Sequence, residues 1–206
     1  MTRNATIDAI RLDGGVLCLD FVNTVPDRKD GTDRDNISSY DDLIYWARKA
    51  GVVTTAGLNA LATTGAINEK KTREFLSAAH QIRSLIYSIF KPIANQHRAR
   101  QADIDVFNEI AGRYFAFLSV GAAKDGYVSK WRFTDDHFFS VTAPIIKSAY
   151  DLLLSDKLKR VKECPNCGWL FLDSTRNGKR RWCSMEDCGS NVKSLEYYYR
   201  QKEQKK

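Results

Sequence analysis

Residues Cys164 to Lys193 read CPNCGWLFLDSTRNGKRRWCSMEDCGSNVK. Four of the chain's five cysteines fall in this stretch, as Cys164, Cys167, Cys183 and Cys188, spaced C-x2-C-x15-C-x4-C. Two close pairs bridged by a loop of this length are the spacing of a tetrahedral zinc site. Four thiolates fill the coordination sphere and leave no open position, so the expected metal is structural rather than catalytic. The segment is too short to bury a core of its own, and the metal must then hold it folded.

The residues between the cysteines suit a knuckle, a hairpin and a helix. Pro165 and Gly168 belong in the tight turn between the first two ligands. Trp169 to Leu172 is a short apolar run with strand character. Asp173 to Gly178 is a loop ending in an Asn-Gly turn. Ser184 and Asp187 stand three apart, close to a capping box, and a helix is expected from Asn191 to about Lys202, carrying Tyr197, Tyr198 and Tyr199.

The same residues resemble the CGNR zinc-finger family. Its pattern is a CxxC knuckle, an F-x-D-x-S segment, R-x-W-C-S-M and then C-G-N-R with a Lys beyond. Phe171, Asp173, Trp182, Cys183, Ser184, Met185, Cys188, Gly189 and Lys193 match it, with Ser174 and Arg181 each one place from the pattern's Ser and Arg, whereas Cys188-Gly189-Ser190-Asn191 lacks the Arg. Near the other end, Leu19-Asp20-Phe21-Val22-Asn23-Thr24 resembles the LDFVNT signature of the ABATE domain, which precedes this finger in the same family. The resemblance implies a stress-linked bacterial transcription regulator.

Charge is distributed unevenly over the 206 residues. Residues 157–206 hold 13 Lys and Arg against 6 acidic residues, and residues 1–156 hold 19 of each, so the whole net charge of +7 lies in the finger and its tail. A cationic module beside a neutral one suits a polyanion. A charge run alone is more often a solvated face, but this one coincides with a finger. DNA is therefore the expected partner, with Lys179, Arg180, Arg181, Lys193 and Arg200 offered to phosphates. A module that binds RNA or protein, with a purely structural finger, is the alternative. No apolar run is long enough to span a membrane. The N-terminus lacks the apolar core of an export signal, so a cytoplasmic protein is expected. No nucleophile–base pair is visible, and an enzyme is not expected.

The expected fold is mainly α with a minor β component: a helical ABATE-like domain over 1–155 and a small treble-clef-like finger over 158–206, each with its own core. Residues 7–12 suit a short strand, and Leu17 to Val25 a helix with Leu17, Phe21 and Val25 on one face. Asp20 and Asn23 are polar residues in this apolar stretch. They either bond nearby backbone or line a ligand pocket. Arg83, at the edge of the apolar stripe of a long helix starting near Asn68, needs a buried carboxylate, and Asp20 is the candidate. Ser38-x-x-Asp41 is expected to open, as a capping box, a helix that runs to about Ala50, and further helices are expected over 56–63, 103–119 and 135–154, with a turn over 121–126 and a strand over 127–133. The charged loop 27–36 has no calcium-loop frame. His80 and His97 are expected in solvent, as is His137. The helical domain would sense a small molecule or a protein effector, or join two chains as a homodimer.

Overall fold

The computed structural model describes residues 5–32, 34–53, 57, 61, 63, 69–132 and 137–204. In chain order these form α1 (Ala5–Ala9), α2 (Leu17–Val22), α3 (Tyr40–Lys49), α4 (Glu69–Ala94), α5 (Gln101–Phe115), a hairpin of β1 (Leu118–Ala123) and β2 (Gly126–Trp131), and α6 (His137–Leu153). A 3-10 turn over Asp156–Arg160 leads into β3 (Val161–Glu163) and β4 (Leu170–Leu172); a π-helical turn over Met185–Gly189 opens α7 (Ser190–Gln204). The fold is mainly helical with a minor β component, as the residue pattern implies.

The 26-residue α4 is the spine. Phe75, Ala79, Ile82, Ile86, Ile89 and Phe90 form its buried stripe, and α2, α3, α5 and α6 all pack on it. An apolar face of this width is what holds so long a helix in a single position. Pro92 lies within its last turns without ending it. The first turns of α3 show how local chemistry sets a boundary. The Ser39 hydroxyl accepts from Asp42 N, and the Asp42 carboxylate accepts from Ser39 N. This capping box sits one residue later than Ser38 and Asp41, because both pairs have the same spacing.

Several expectations fail for identifiable reasons. Residues 5–9 are helical rather than extended; Ile7 is fully buried, and a run this short carries no usable period. The helix expected over 103–119 ends at Phe115. Beyond it, residues 118–123 are β1, paired antiparallel with β2 from Leu118↔Trp131 to Ala123↔Gly126, so only Lys124 and Asp125 make the turn. The helix expected over 56–63 lies outside the described residues except at single positions, as do residues 133–136 and the side chain of His137. His80 is half-buried, with Nε2 2.8 Å from Ile37 O and 3.6 Å from Asp35. No helix among the described residues is long and apolar enough to cross a membrane.

The expectation of two separate cores is also corrected. Val161, Leu170 and Leu172, all within the finger, are buried in the same cluster as α2, α4 and α6. The cysteines and Phe171 form only a small second cluster, covered by Trp169 and Trp182. β4 thus has one apolar side in each cluster, as period-2 alternation dictates.

Candidate metal centre and its clamp

The four cysteines converge. Their Sγ atoms all lie within 4.8 Å of one another, with Cys167–Cys183 and Cys183–Cys188 at 3.6 Å. Four sulfurs about 2.3 Å from a zinc ion define a tetrahedron with edges of about 3.8 Å. The donor set and its spacing fit zinc, which would supply a cross-link between the knuckle and the start of α7. The outer layer fits as well. Asn166 Nδ2 donates to Cys188 Sγ at 3.4 Å. The Ser184 hydroxyl accepts from Asp187 N at 3.1 Å and so caps the turn that carries Cys188.

Asp173, inside the F-x-D-x-S segment, organises the loop between the ligand pairs. It is fully buried and accepts from Lys162 Nζ at 2.7 Å, from Thr175 N at 3.0 Å and from Arg180 N at 2.9 Å. Burial alone raises its carboxyl, but Lys162 and these donors hold it well below the usual carboxylate range. Lys162 also donates to Gly178 O and Arg180 O. No local pattern marks this pair; a buried-acid position next to a strand lysine is visible only once β3 and β4 are paired.

Asp20, Asn23 and Arg83 do not converge into a pocket, and Asp20 is not the partner of Arg83. The Arg83 guanidinium grips Asp35 with two nitrogens and donates to Thr24 Oγ1 at 2.7 Å. Burial works to raise the Asp35 carboxyl, and the Arg83 charge and hydrogen bonds carry it below its usual value. Asp35 lies in the charged loop 27–36, where local pattern gives no sign of a buried partner.

Asn23 instead reaches into the finger. Its Nδ2 donates to Leu170 O at 2.8 Å, and its Oδ1 accepts from Leu170 N at 3.0 Å. β4 bonds β3 through alternate residues, seen in Cys164 N donating to Trp169 O, so Leu170 turns both backbone groups to the other edge. One carboxamide there does the work of a neighbouring strand. Leu172 N, on the same edge, donates to Gly14 O at 2.8 Å. Gly14 N in turn donates to Asp20 Oδ1 at 2.8 Å. A Cβ at Gly14 would lie 2.6 Å from Asp20 N, so only glycine brings this turn against α2. Three further bonds close the junction: Trp169 Nε1 to Val25 O, Arg28 N to Cys167 O and Lys29 Nζ to Pro165 O. The LDFVNT stretch is a clamp on the finger's strand.

Burial pushes the Asp20 carboxyl from the usual 3.8 up to about 6, against the opposing pull of the Gly14 N–H. The folded state then holds the proton more tightly than the unfolded chain. The resulting stabilisation is complete below about pH 4 and is lost as pH rises through about 6. Asp20→Asn keeps an acceptor for Gly14 and removes the titration. Between about pH 5.5 and 7.5, wild-type stability is expected to fall by about 1 kcal/mol more than that of the variant. Denaturant titrations that stay parallel across this window would contradict it.

The cationic residues divide into two groups. Lys179, Arg181, Lys193 and Arg200 are exposed, with Arg181 and Lys193 over the Trp182 ring at 5.0 and 5.9 Å. Arg180 is not available to a phosphate. Its guanidinium lies 4.6 Å from the centre of the Phe171 ring and donates to Trp182 O, Cys183 O and Asp13 O. Adjacent arginines look alike in sequence; the turn before Cys183 points one inward and the other outward. A cavity of about 410 Å³ opens between α1 and the finger, lined by Ile10, Arg11, Pro26 and Trp169 and by three of the metal-site cysteines, Cys167, Cys183 and Cys188. Arg11 crosses its mouth to Glu186 at 2.7 Å and Asp187 at 3.4 Å.

Comparison with known proteins agrees with this geometry. Residues 160–201 match the CGNR zinc finger, and residues 15–156 match the ABATE family, described as "Putative stress-induced transcription regulator". No curated protein matches the chain. The match over 15–156 takes in both the LDFVNT clamp and the long helix behind it, and the chain belongs to the ABATE family, with a C-terminal CGNR zinc finger.

Proposed function

We propose that this protein is a DNA-binding transcription regulator whose zinc finger docks on duplex phosphates. The observation that carries the reading is the pairing of charge with exposure. The net surplus of +7 lies in residues 157–206, and Lys179, Arg181, Lys193 and Arg200 there point into solvent around one metal-held module. α7 touches the rest of the fold chiefly through the turn that opens it, which leaves its sides open to a groove. With Ser190-Asn191 in place of the family's Asn-Arg, Lys193 is the nearest cation, a point charge without the planar fork of Arg. Modest affinity with weak base discrimination follows. The sensing half of the reading falls to the part of the cavity away from the cysteines, beside Ile10, Arg11 and Pro26, since Asp20, Asn23 and Arg83 are committed elsewhere.

The test is fluorescence anisotropy of the zinc-loaded full chain with duplex DNA in a salt series. Affinity should fall steeply, with a slope of about −0.9 per phosphate contact. Lys193→Ala with Arg200→Ala should flatten that slope by up to about two contacts. Arg180→Ala should lower thermal stability and leave the slope unchanged. Salt-independent binding would overturn the reading. Binding to RNA is the second reading, favoured by Tyr197, Tyr198 and Tyr199, which are 63%, 59% and 59% exposed and offer faces for base stacking. Tighter binding of single-stranded RNA than of duplex DNA in the same series would select it.

A further inference from the structure

The β1–β2 hairpin joins the rest of the fold at its base, where Trp131 packs on the core and stacks on Phe115. Each strand has the other as its neighbour, and among the described residues neither outer edge is paired. Val120 and Tyr127 are 76% and 82% exposed. A two-stranded hairpin in water is marginal by itself, and an open edge is a template for another strand. Proteins protect such edges with charge, proline or a bulge. β1 reads Leu-Ser-Val-Gly-Ala-Ala and has none of these: it carries no charge and no proline, and its register with β2 is unbroken.

The direction of the free backbone groups follows from one bond. Arg132 N donates to Phe117 O at 2.9 Å, so in this register the bonded pairs are those of Phe117, Ser119, Gly121 and Ala123. Antiparallel pairs alternate, and Leu118, Val120 and Ala122 therefore turn their N–H and C=O groups to the open edge. Their side chains share one face with Tyr127 and Trp131, their cross-strand neighbours being Trp131, Ser129 and Tyr127. The opposite face carries Lys130, whose side chain lies over Gly121; a Cβ there would meet it at 2.6 Å.

We propose that two copies of this chain join through β1, antiparallel about a twofold axis at Val120, to form a four-stranded sheet. Val120 faces the second copy's Val120, and Leu118 faces the second copy's Ala122. An edge without charge is complementary to itself, and in this register every outward group of Leu118, Val120 and Ala122 meets a partner. The parity of the register also keeps the two apolar faces on one side. A twofold contact of this kind is closed and stops at the dimer.

Sedimentation equilibrium of the zinc-loaded full chain should give twice the 23.4 kDa chain mass. Val120→Lys places two ammonium groups at the axis and should yield only monomer. Ala122→Pro removes an outward N–H without breaking a bond to β2, and should do the same; both variants should keep their helical circular dichroism. Val120→Cys should form an intermolecular disulfide, because bonded antiparallel residues have Cα atoms about 5.5 Å apart. Val128→Cys, about three strand spacings or 14 Å from its counterpart, should not. A monomer at every concentration, a dimer that survives Val120→Lys, or equal cross-linking at both positions would overturn the proposal. A monomer that still binds DNA leaves the function proposed above intact.

Discussion

Removing the zinc, or replacing Cys183 by Ser, should unfold the whole chain and not the finger alone. A structural zinc site contributes on the order of 10 kcal/mol to folding, and a domain's entire margin is about 5–15 kcal/mol. The loss would stay local if the finger had its own core. It does not, because Val161, Leu170 and Leu172 are buried among α2, α4 and α6, and withdrawing them opens cavities against the spine helix. Circular dichroism at 222 nm should fall well beyond what α7 contributes as zinc is chelated, in step with the 19F NMR signal of fluorotryptophan at Trp46, a residue of the shared core. Full retention of the Trp46 signal after complete chelation would contradict this.

Asn23→Ala should be the most damaging single change away from the metal. It leaves the N–H and the C=O of Leu170, a residue with no exposed surface, without partners. Each orphaned buried group costs about 1–3 kcal/mol, and the cost is about 2–6 kcal/mol in total. Asn23→Asp is informative beside it: the carboxylate keeps the acceptor for Leu170 N but sets a charge against Leu170 O, and it should be as harmful as Ala. Zinc content should stay at one per chain in both variants, because no ligand is touched. Unfolding free energies from denaturant titration within about 0.5 kcal/mol of wild type would show that the clamp contributes little.

The parts of this structure that were legible in the sequence are those written in local spacing. The ligand set of the metal centre lies within 25 residues and needs only its cysteine intervals. The long stripe of α4 and the helix after Cys188 follow from periodicity and capping in the same way. The parts that were not legible depend on groups far apart along the chain. Asp20 and Asn23 stand out as polar residues in an apolar run, and pattern alone suggests a local cap or a pocket. Their work is done 147 residues away at Leu170 and through Gly14 at Leu172. Arg83 plainly needs a carboxylate, but Asp35 sits among six other charged residues in a loop with no period, and nothing local separates it from Asp30. Arg180 and Arg181 differ only in which way the backbone turns them. Near residue 156 the charge changes and one family match gives way to the other, while the core runs through that point.

Amide hydrogen exchange on the zinc-loaded full chain tests the clamp most directly. Leu170 and Leu172 should exchange with the same opening free energy as Ile86 and Ile89 in α4, since all four open only with the shared core. In Asn23→Ala the four should lose protection together. Ready exchange at Leu170 and Leu172 while Ile86 and Ile89 stay protected would show two independent units, and would contradict the account of LDFVNT as the joint between them.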